Sequence, residues 1–564
     1  MNNLEYTNRR IIRLILTILL IVLLNVVVIC VFATNLENEE ETIELESVIE
    51  HISEVPEGYT GIYSADDLIG VSSNLSGKYI LMDDIDLVNI TWNILGTSSS
   101  STFTGTLDGN NYKISNLNIE SSNQYVGMFG YINGGTVKNL IIENETVKST
   151  YASSSAVGYV GGLIGYIKVG TIENVKIIGT SNVENTAGSN TAYVGGLVGY
   201  ATQTNIDYAN TNVEVIGNGK TGIIYVGGLV GYTYGTSSTT CVKITNAYTT
   251  GNTTINSTTG TVYAGGLVGC ARYTMITNVY TTGNVNAETS GILNIGGLVG
   301  YIYGTGTNAT NGSTTVVTNA YAIGNIVGKT TKTVNVGGLI GYIYLNTYTS
   351  KSSTYYYKVF ITNTYAVGEV NVETTAKANL GGLIGYSNAV PTVASSYWSP
   401  ETTGQEESNG GISKLLQGML YKSIYTEWDF ETIWNIEEGQ TLPYLRNIVK
   451  PEEVNKENYT YTAYEGDGTE TNPYIIKTEE QLQKIRNELG AHCKLANNIS
   501  LMNEFDVMGN ATNPFTGTLD GNNYKISNLN IESSNQYVGM FGYINGGTVK
   551  NLIIENETVK STYA

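Results

Sequence analysis

The stretch Val226-Gly-Gly-Leu-Val-Gly-Tyr232 decides the fold, because close copies of it return along the chain. Eight copies lie between Tyr125 and Tyr386, and their first glycines are separated by 31 to 44 residues. A period in this range is typical of architectures built from stacked repeats. The first glycines are Gly127, Gly161, Gly195, Gly227, Gly265, Gly296, Gly337 and Gly381.

A second apolar stretch follows the glycine phrase, as in Thr136-Val-Lys-Asn-Leu-Ile-Ile142 and Ile276-Thr-Asn-Val-Tyr280. Apolar and polar residues roughly alternate there, which indicates half-buried β-strands. Two or three short strands per repeat predict an all-β protein with a right-handed parallel β-helix, a β-solenoid in which each coil bonds to the next. Glycine is unfavourable inside a strand, so the phrase marks tight corners or a close approach of neighbouring coils.

The repeated phrase resembles the GLUG motif, a Gly-Gly-Leu-(Val/Ile)-Gly-Tyr repeat of exported bacterial surface proteins. The resemblance covers residues 58–447 and 464–564 and implies a β-solenoid at the bacterial surface. The motif also accompanies some immunoglobulin A metallopeptidases, which need the sequence His-Glu-x-x-His. Here His51 is followed by Ile52 and His492 by Cys493, so the sequence lacks that catalytic site.

The amino terminus has the features of an export signal. Basic residues up to Arg13 precede an apolar run over residues 14–33, and the acidic stretch 34–57 follows it. The run is long enough to span a membrane, and the small residue Ala33 offers a cleavage position. Residues 1–33 are therefore a cleaved signal peptide or a retained signal anchor, and 34–57 is a solvated acidic spacer. Both alternatives predict an extracellular or cell-surface protein, with membrane contact only if the segment is uncleaved.

Two tandem modules follow the spacer. The first covers residues 58–447 and ends in a cap over 398–447, where Trp398, Trp428 and Trp434 are expected to plug the open end of the solenoid. An aromatic platform for sugars is the alternative for these tryptophans. A charged linker, 448–463, leads to the start of a second module at 464–564. Its last fifty residues, 515–564, repeat 103–152 without a change, and they stop before a second coil.

Composition and charge exclude several classes of function. The 564 residues include 29 basic and 49 acidic side chains, giving a formal net charge of −20, which argues against nucleic acid as a partner. Two histidines are too few for histidine-rich zinc sites or Ser-His-Asp relays. From Ser121 to Tyr397 there is one aspartate, Asp207, and the glutamates are scattered. We therefore predict no catalytic, cofactor-binding or metal-binding residues, and we expect no cofactor.

The last residue of the phrase supplies the one candidate binding site. Alternation places the tyrosines opposite the leucines of the same phrase, but it leaves open which row faces the core. The tyrosines then form either an internal or flank-packed ladder, or an exposed stripe for glycans or surface proteins. These residues are Tyr166, Tyr200, Tyr232, Tyr301, Tyr342 and Tyr386.

These observations together favour a non-catalytic exported surface protein, with a role in adhesion or structural spacing through its repeat β-solenoid. The alternative is a carbohydrate-active enzyme, a polysaccharide lyase or hydrolase, or a glycan-binding protein on the same scaffold. Such enzymes work through clustered acids and basic residues, which the repeat region does not offer at a consistent place.

Overall fold

A computed structural model describes residues 51–186, 191–236, 240–304, 314–350, 353–356 and 358–563. The chain from Ile52 onward forms one compact unit. Within the described ranges, no helix is both long and apolar enough to cross a membrane. The predicted signal segment, 1–33, and all but the last residues of the predicted spacer lie outside the described residues.

Eight coils stack through two parallel ladders that meet at the glycine phrase. The strands pair in register, so that Tyr225 lies beside Tyr263 and Val230 lies beside Val268 in the next coil. The first ladder contains Tyr125–Val126, Val157–Gly161, Thr191–Gly195, Ile223–Gly227, Val262–Gly265, Leu293–Gly296, Val334–Gly337 and Ala378–Gly381. The second ladder contains Phe129–Asn133, Ile164–Lys168, Val198–Thr202, Val230–Tyr234, Val268–Arg272, Val299–Gly304, Ile340–Leu345 and Ile384–Ser387.

Two further parallel ladders complete each coil, and they merge into single long strands at Thr171–Asn185 and Asn205–Gly219. The third ladder also contains Thr60–Ile62, Lys78–Leu81, Thr106–Asp108, Thr136–Glu143, Val242–Thr249, Thr274–Thr281, Thr314–Ala322, Lys358–Ala366 and Thr392–Ala394. The fourth ladder also contains Asn118–Ser121, Thr146–Ser149, Thr253–Ser257, Val285–Glu288, Ile326–Thr330 and Val370–Thr374. Parallel coil-to-coil pairing throughout confirms the prediction of an all-β parallel β-helix.

Asparagines bend the third ladder where the sequence predicts a straight strand. Asn246, Asn278, Asn319 and Asn363 all have φ near +50°, a conformation that asparagine tolerates better than most residues. The side-chain amides of Asn278, Asn319 and Asn363 each donate to the asparagine one coil below at 3.0 to 3.1 Å, and that of Asn246 donates to Asp207 at 3.0 Å. The bend turns the tyrosine two residues later out of the solenoid core.

The described chain before the first coil forms an N-terminal unit. The helix Ala65–Gly70 begins at Ser64, whose hydroxyl accepts from the backbone N–H of Asp67. A 3₁₀ turn follows it at Val71–Ser73. Two short strands, Ile85–Asp86 and Lys113–Ser115, pair with each other and lead to the third ladder. Later in the chain, an antiparallel hairpin at Thr347–Ser350 and Ser353–Tyr356 is inserted in the seventh coil, between its second-ladder and third-ladder strands.

The tail contains Tyr397–Trp398, Pro400–Thr403, Ile412–Ser413, Leu416–Met419, Lys422–Ile424, Trp434–Asn435 and Tyr444–Leu445. Trp398 packs in the solenoid core beside Gly382, at the end of the glycine corners, as expected of a plug. Trp428 and Trp434 belong instead to a separate cluster, which covers the stacked rings of Tyr321 and Tyr365. The end-plug prediction is therefore wrong for these two tryptophans, because the asparagine bends present outward tyrosines for them to cover.

The second module begins against the tail of the first. The segment 448–463, predicted as a linker, has 3₁₀ turns at Glu452–Val454 and Lys456–Asn458, and Val454 is buried in the tail cluster. Further on, the carboxylate of Glu488 pairs with Lys414 and accepts from the Leu415 N–H at 2.9 Å. The module contains Tyr474–Ile476, the helix Glu479–Lys484, Ile485–Asn487, His492–Leu495, Ile499–Ser500, Thr518–Asp520, Lys525–Ser527, Asn530–Ser533, Thr548–Lys550, Ile553–Glu555 and Thr558–Ser561.

Candidate binding surface

The glycines of the repeated phrase let the first and second ladders touch main chain to main chain. A Cβ on Gly227 would lie 2.1 Å from the carbonyl oxygen of Val230 and 2.8 Å from the amide nitrogen of Gly269. A Cβ on Gly231 would lie 2.6 Å from the oxygen of Gly199. Such distances exclude any side chain, so the phrase needs glycine because of close approach, as predicted. The contact brings the outward residues of both ladders together.

The leucine row of the phrase faces the core, and the tyrosine row faces outward. Leucines 163, 197, 229, 298, 339 and 383 are fully buried. Of the predicted tyrosines, Tyr232 is 9% exposed, whereas Tyr166, Tyr200, Tyr301, Tyr342 and Tyr386 are half-buried. The sequence left open a packed ladder or an exposed stripe, and the structure combines the two. The rings pack against one another and keep an edge or face in solvent.

A second column of tyrosines, missed by the sequence analysis, lies beside the first. It comes from the first ladder, and its members occupy the position two residues before the first glycine of the phrase. This recurrence is visible in the sequence and could have identified the column. Its members are Tyr125, Tyr159, Tyr193, Tyr225 and Tyr263.

The rings of the two columns form one continuous aromatic surface. Within the new column, centroids are 4.9 to 5.4 Å apart from Tyr125 to Tyr263. Across the columns, the ring of Tyr225 meets that of Tyr232 edge-on at 5.1 Å. Both geometries are favourable for aromatic pairs. We call the second column, Tyr131 and the six predicted tyrosines together the tyrosine surface.

The fifth coil interrupts the column of predicted tyrosines, although the surface stays continuous there. Cys270 replaces the tyrosine of the phrase there and is fully buried, and Tyr263 instead stacks on Tyr301 of the next coil at 4.6 Å. Two residues later, the guanidinium of Arg272 lies 4.6 Å from the ring centroid of Tyr234 and 5.4 Å from that of Tyr303. A cation therefore lies at the edge of the tyrosine surface, held between two aromatic rings.

Asparagines continue the second column beyond Tyr263. The amide of Asn335 donates to the side chain of Asn294 at 2.7 Å, and the amide of Asn379 donates to that of Asn335 at 2.6 Å. Asn294 and Asn335 are buried, so in the last three coils the phenol rings of Tyr301, Tyr342 and Tyr386 form the exposed part of the surface, with the partly exposed Asn379 beside the last of them.

Electrostatics distinguish the tyrosine surface from the rest of this acidic chain. The sixteen strands of the first and second ladders contain no Asp or Glu, and their only cationic residues are Lys168 and Arg272. Burial raises the pKa of Tyr159 and of Tyr263 to about 12, and it raises the pKa of Tyr200 and Tyr225 further. The phenols therefore remain neutral hydrogen-bond donors at physiological pH.

A groove of about 490 Å³ on the fourth ladder is a second candidate site. There the Lys329 ammonium lies 3.5 Å from a carboxylate oxygen of Glu288 and 3.9 Å from one of Glu373. All three side chains are more than half exposed. Exposure of this kind leaves no burial to tune an acid or a base for catalysis. Among the described residues, no group of three His, Cys, Asp or Glu side chains is placed to hold a metal ion.

Comparison with known proteins gives short or distant similarities. No family model matches the chain. A 105-residue segment is 34% identical to a protein of Evansella cellulosilytica described as a Gly-rich membrane protein, and a 108-residue segment is 37% identical to halomucin of Haloquadratum walsbyi. Each match covers 17% of this chain, and they span 12% and 1% of the two relatives.

Two solved structures are also similar to the chain. One is a Bacteroides ovatus chain described as an immunoglobulin A1 protease, with 19% identity over 69% of this chain and 92% of that chain and a TM-score of 0.35. The other is described as IgA1 protease, with 16% identity over 73% of this chain and 26% of that chain and a TM-score of 0.37. Similarity at this level carries no argument about activity.

Proposed function

We propose that the chain is a non-catalytic, GLUG-type surface protein that attaches to its partner through the tyrosine surface. The observation that carries the proposal is the continuous surface of partly exposed tyrosine rings along the coils, of which Tyr131 and Tyr232 are the most buried. Eight coils at about 4.8 Å per step give it a length of roughly 34 Å. Aromatic residues with one wet edge are enriched where proteins bind partners.

Export places this surface outside the cell. The basic and apolar segment up to Ala33 either anchors the chain in the membrane or is removed, and the stacked coils then act as a spacer that presents the surface. A parallel β-helix suits this role, because each coil is held by its neighbours and the array is stiff along its axis.

Replacing the central tyrosines tests the proposal. The triple variant Tyr193→Ser, Tyr200→Ser and Tyr225→Ser removes three rings from two adjacent coils, and Tyr208→Ser is the matched control on the third ladder, where the ring is 43% exposed. We expect the triple variant to lose retention on a panel of immobilised polysaccharides, mucins and matrix proteins, and the control to retain it. Equal retention of the triple variant and the parent, with both folded by circular dichroism, would refute the proposal.

A carbohydrate-active enzyme is the second candidate, and the groove around Lys329 favours it. The groove holds a basic residue between two acids, which are residue types that general acid–base catalysis uses, but it holds them on an open surface. The assay is the chain length of polysaccharides after incubation with the full chain. We expect no shortening. Cleavage that disappears in Glu288→Gln or Glu373→Gln would establish the enzyme and overturn the non-catalytic proposal.

A further inference from the structure

The charge pattern of the tyrosine surface points to one class of partner. In a chain with a net charge of −20, the two ladders that form this surface lack carboxylates altogether. The cations on or beside it are Lys168, Arg272 and Lys377, and Lys377 lies over the ring of Tyr386 at 5.7 Å. A surface of rings and cations without acids is complementary to an anionic partner.

Arg272 is the central and most constrained of these cations. Two tyrosine rings hold its guanidinium, and among the described residues it forms no ion pair. Its Nε–H is buried without a hydrogen-bond acceptor. A buried donor without an acceptor costs free energy, and guanidinium groups bind carboxylate or sulfate groups through two parallel hydrogen bonds. Because the buried Nε–H cannot reach a ligand in solvent, the terminal nitrogens of this partly exposed residue are the donors left for an anion that the protein itself does not supply.

The three cations lie at equal steps along the solenoid axis, with Lys168 and Arg272 at the end of second-ladder strands and Lys377 just before a first-ladder strand. Lys168 belongs to the second coil, Arg272 to the fifth and Lys377 to the eighth, so neighbours are three coils apart, or about 14 Å. Between them lie rings that can stack on apolar faces and phenol groups that can bond to oxygen atoms. This order of groups suits a linear polymer that carries charges at intervals and apolar faces between them.

We propose that the tyrosine surface binds an acidic polysaccharide, a chain of sugars with carboxylate or sulfate groups, and that Arg272 is its central anion contact. The inference rests on the proposed function, because it names the partner class of the same surface. Sugar rings supply apolar C–H faces for stacking on tyrosine and hydroxyl oxygens for the phenol donors. An acidic peptide offers the charge without a regular series of flat apolar faces.

Three dextrans with the same glucan backbone separate the contributions of charge and stacking. Affinity electrophoresis of the full chain is run in neutral dextran, carboxymethyl dextran and dextran sulfate, with polyglutamate as the acidic peptide. We expect strong retardation by one or both anionic dextrans, weak retardation by dextran and polyglutamate, and loss of the difference at high salt. The carboxymethyl and sulfate arms show which anion the surface prefers.

Substitutions assign the charge contact to Arg272. Arg272→Gln should weaken binding to the preferred anionic dextran by about tenfold or more, because a charge-assisted contact is lost. Arg272→Lys should restore part of that loss, since it keeps the charge without the planar donors. Lys243→Gln, an exposed lysine of the third ladder, is the control and should bind as the parent does. The double variant Lys168→Gln and Lys377→Gln should weaken the binding of long polysaccharide chains more than that of short oligomers. Only a long chain can contact both lysines and Arg272 at once.

The outcomes distinguish the inference from the proposed function. Equal retardation by dextran and its anionic forms, or unchanged binding by Arg272→Gln and the lysine double variant, would overturn the acidic polysaccharide while leaving a tyrosine-dependent surface. Preference for polyglutamate would replace the polysaccharide by an acidic protein. If the triple tyrosine variant bound every probe and the adhesion panel as the parent does, the proposed function would fail as well.

Discussion

The chain contains one fifty-residue sequence twice, at 103–152 and 515–564, and the two copies differ in burial. In the first copy, Val137 and Ile142 are fully buried. Their counterparts in the second copy, Val549 and Ile554, are 38% and 39% exposed. Strands Tyr125–Val126 and Phe129–Asn133 have no counterparts among the described strands of the second copy.

The next coil is what distinguishes the two copies. Strands Val157–Gly161 and Ile164–Lys168 lie on the first copy and pair with it, whereas the second copy is the last part of the described chain. Identical residues therefore gain a strand pairing and a buried environment only when a neighbour covers them. Burial and the tyrosine surface come from the stacking of coils, which is the energetic pattern expected of repeat proteins.

The largest contrast is expected for apolar residues that the next coil covers. Ile142→Ala should cost about 2–5 kcal/mol, because it leaves a cavity in a packed core, and Ile554→Ala should cost less than about 1 kcal/mol. Ile114 and Ile526 are fully buried in both copies, so Ile114→Ala and Ile526→Ala should cost similar amounts. Local hydrogen exchange measures each cost. Equal costs for the first pair would contradict the role of the next coil.

A pH-dependent contrast is expected at the glutamates of the two copies. Glu145 is fully buried without a partner for either carboxylate oxygen, and burial raises its pKa from 4.5 to about 8, whereas Glu557 is exposed. Because the folded pKa lies above the unfolded one, the stabilisation by the protonated form is complete below about pH 4.5 and is lost as the pH rises through 8. We expect the first coils to lose a few kcal/mol over that window.

Glu145→Gln should remove this pH dependence, and Glu557→Gln should change nothing. Hydrogen exchange of Thr136–Glu143 and Thr146–Ser149 between pH 5 and 9, corrected for the intrinsic rate, gives the measurement. A parent protein whose local stability is flat over that range would show that Glu145 is solvated or paired in solution.

Alanine substitutions of glycines are expected to give a difference in stability of intermediate size between the two copies. A Cβ on Gly127 would lie 2.7 Å from the Gly161 oxygen of the next coil, whereas one on Gly539 meets no atom closer than 3.3 Å. Gly127→Ala should therefore cost about 1–3 kcal/mol through overpacking, and Gly539→Ala little. Gly130 and Gly542 approach the preceding coil equally, at 2.4 Å, so alanine there should be costly in both copies. Thermal unfolding of the four variants measures the pattern, and a tolerated Gly127→Ala would break it.

The smallest effect is expected where both copies already have their contact. Lys148 pairs with Glu120 at 3.3 Å, and Lys560 pairs with Glu532 at 2.7 Å, between exposed side chains of adjacent coils. Each substitution, Lys148→Gln and Lys560→Gln, should change stability by no more than about 1 kcal/mol. A large and unequal effect, seen by hydrogen exchange of Thr146–Ser149 and Thr558–Ser561, would mean that surface charges help to order the coils.

The sequence was sufficient for the architecture, because glycines that recur at coil spacing have few other uses. The sequence could not show which row faces the core, because alternation is equally consistent with Leu229 inward and Tyr232 outward or with the reverse. Whether a row is buried depends on which side of its strand faces the third and fourth ladders. That is decided by the path of the whole coil and not by one strand. The recognition of the GLUG motif and the binding role of the tyrosines remain predictions.

Two local features escaped the sequence analysis for separate reasons. The recurring Thr-Asn-x-Tyr sequence, as at residues 277–280, was interpreted as plain alternation, although asparagine tolerates positive φ and can stack in ladders. The bend leaves a row of outward tyrosines that a straight strand would have buried, and two of the tail tryptophans, Trp428 and Trp434, pack on that row. The position of Arg272 between two rings could not be predicted, because Tyr234 and Tyr303 come from the coils on either side of it.

One measurement tests the central claim that coil stacking creates both the core and the tyrosine surface. Residues 153–200 of the chain are appended after Ala564, so that the second copy receives the coils that follow the first. Hydrogen exchange should then slow at Thr548–Lys550 and around Phe541 to the level of Thr136–Glu143 and Phe129–Asn133, and the ring of Tyr543 should become as protected as that of Tyr131. Exchange that stays as fast as in the original chain would show that the neighbouring coil does not create the buried environment.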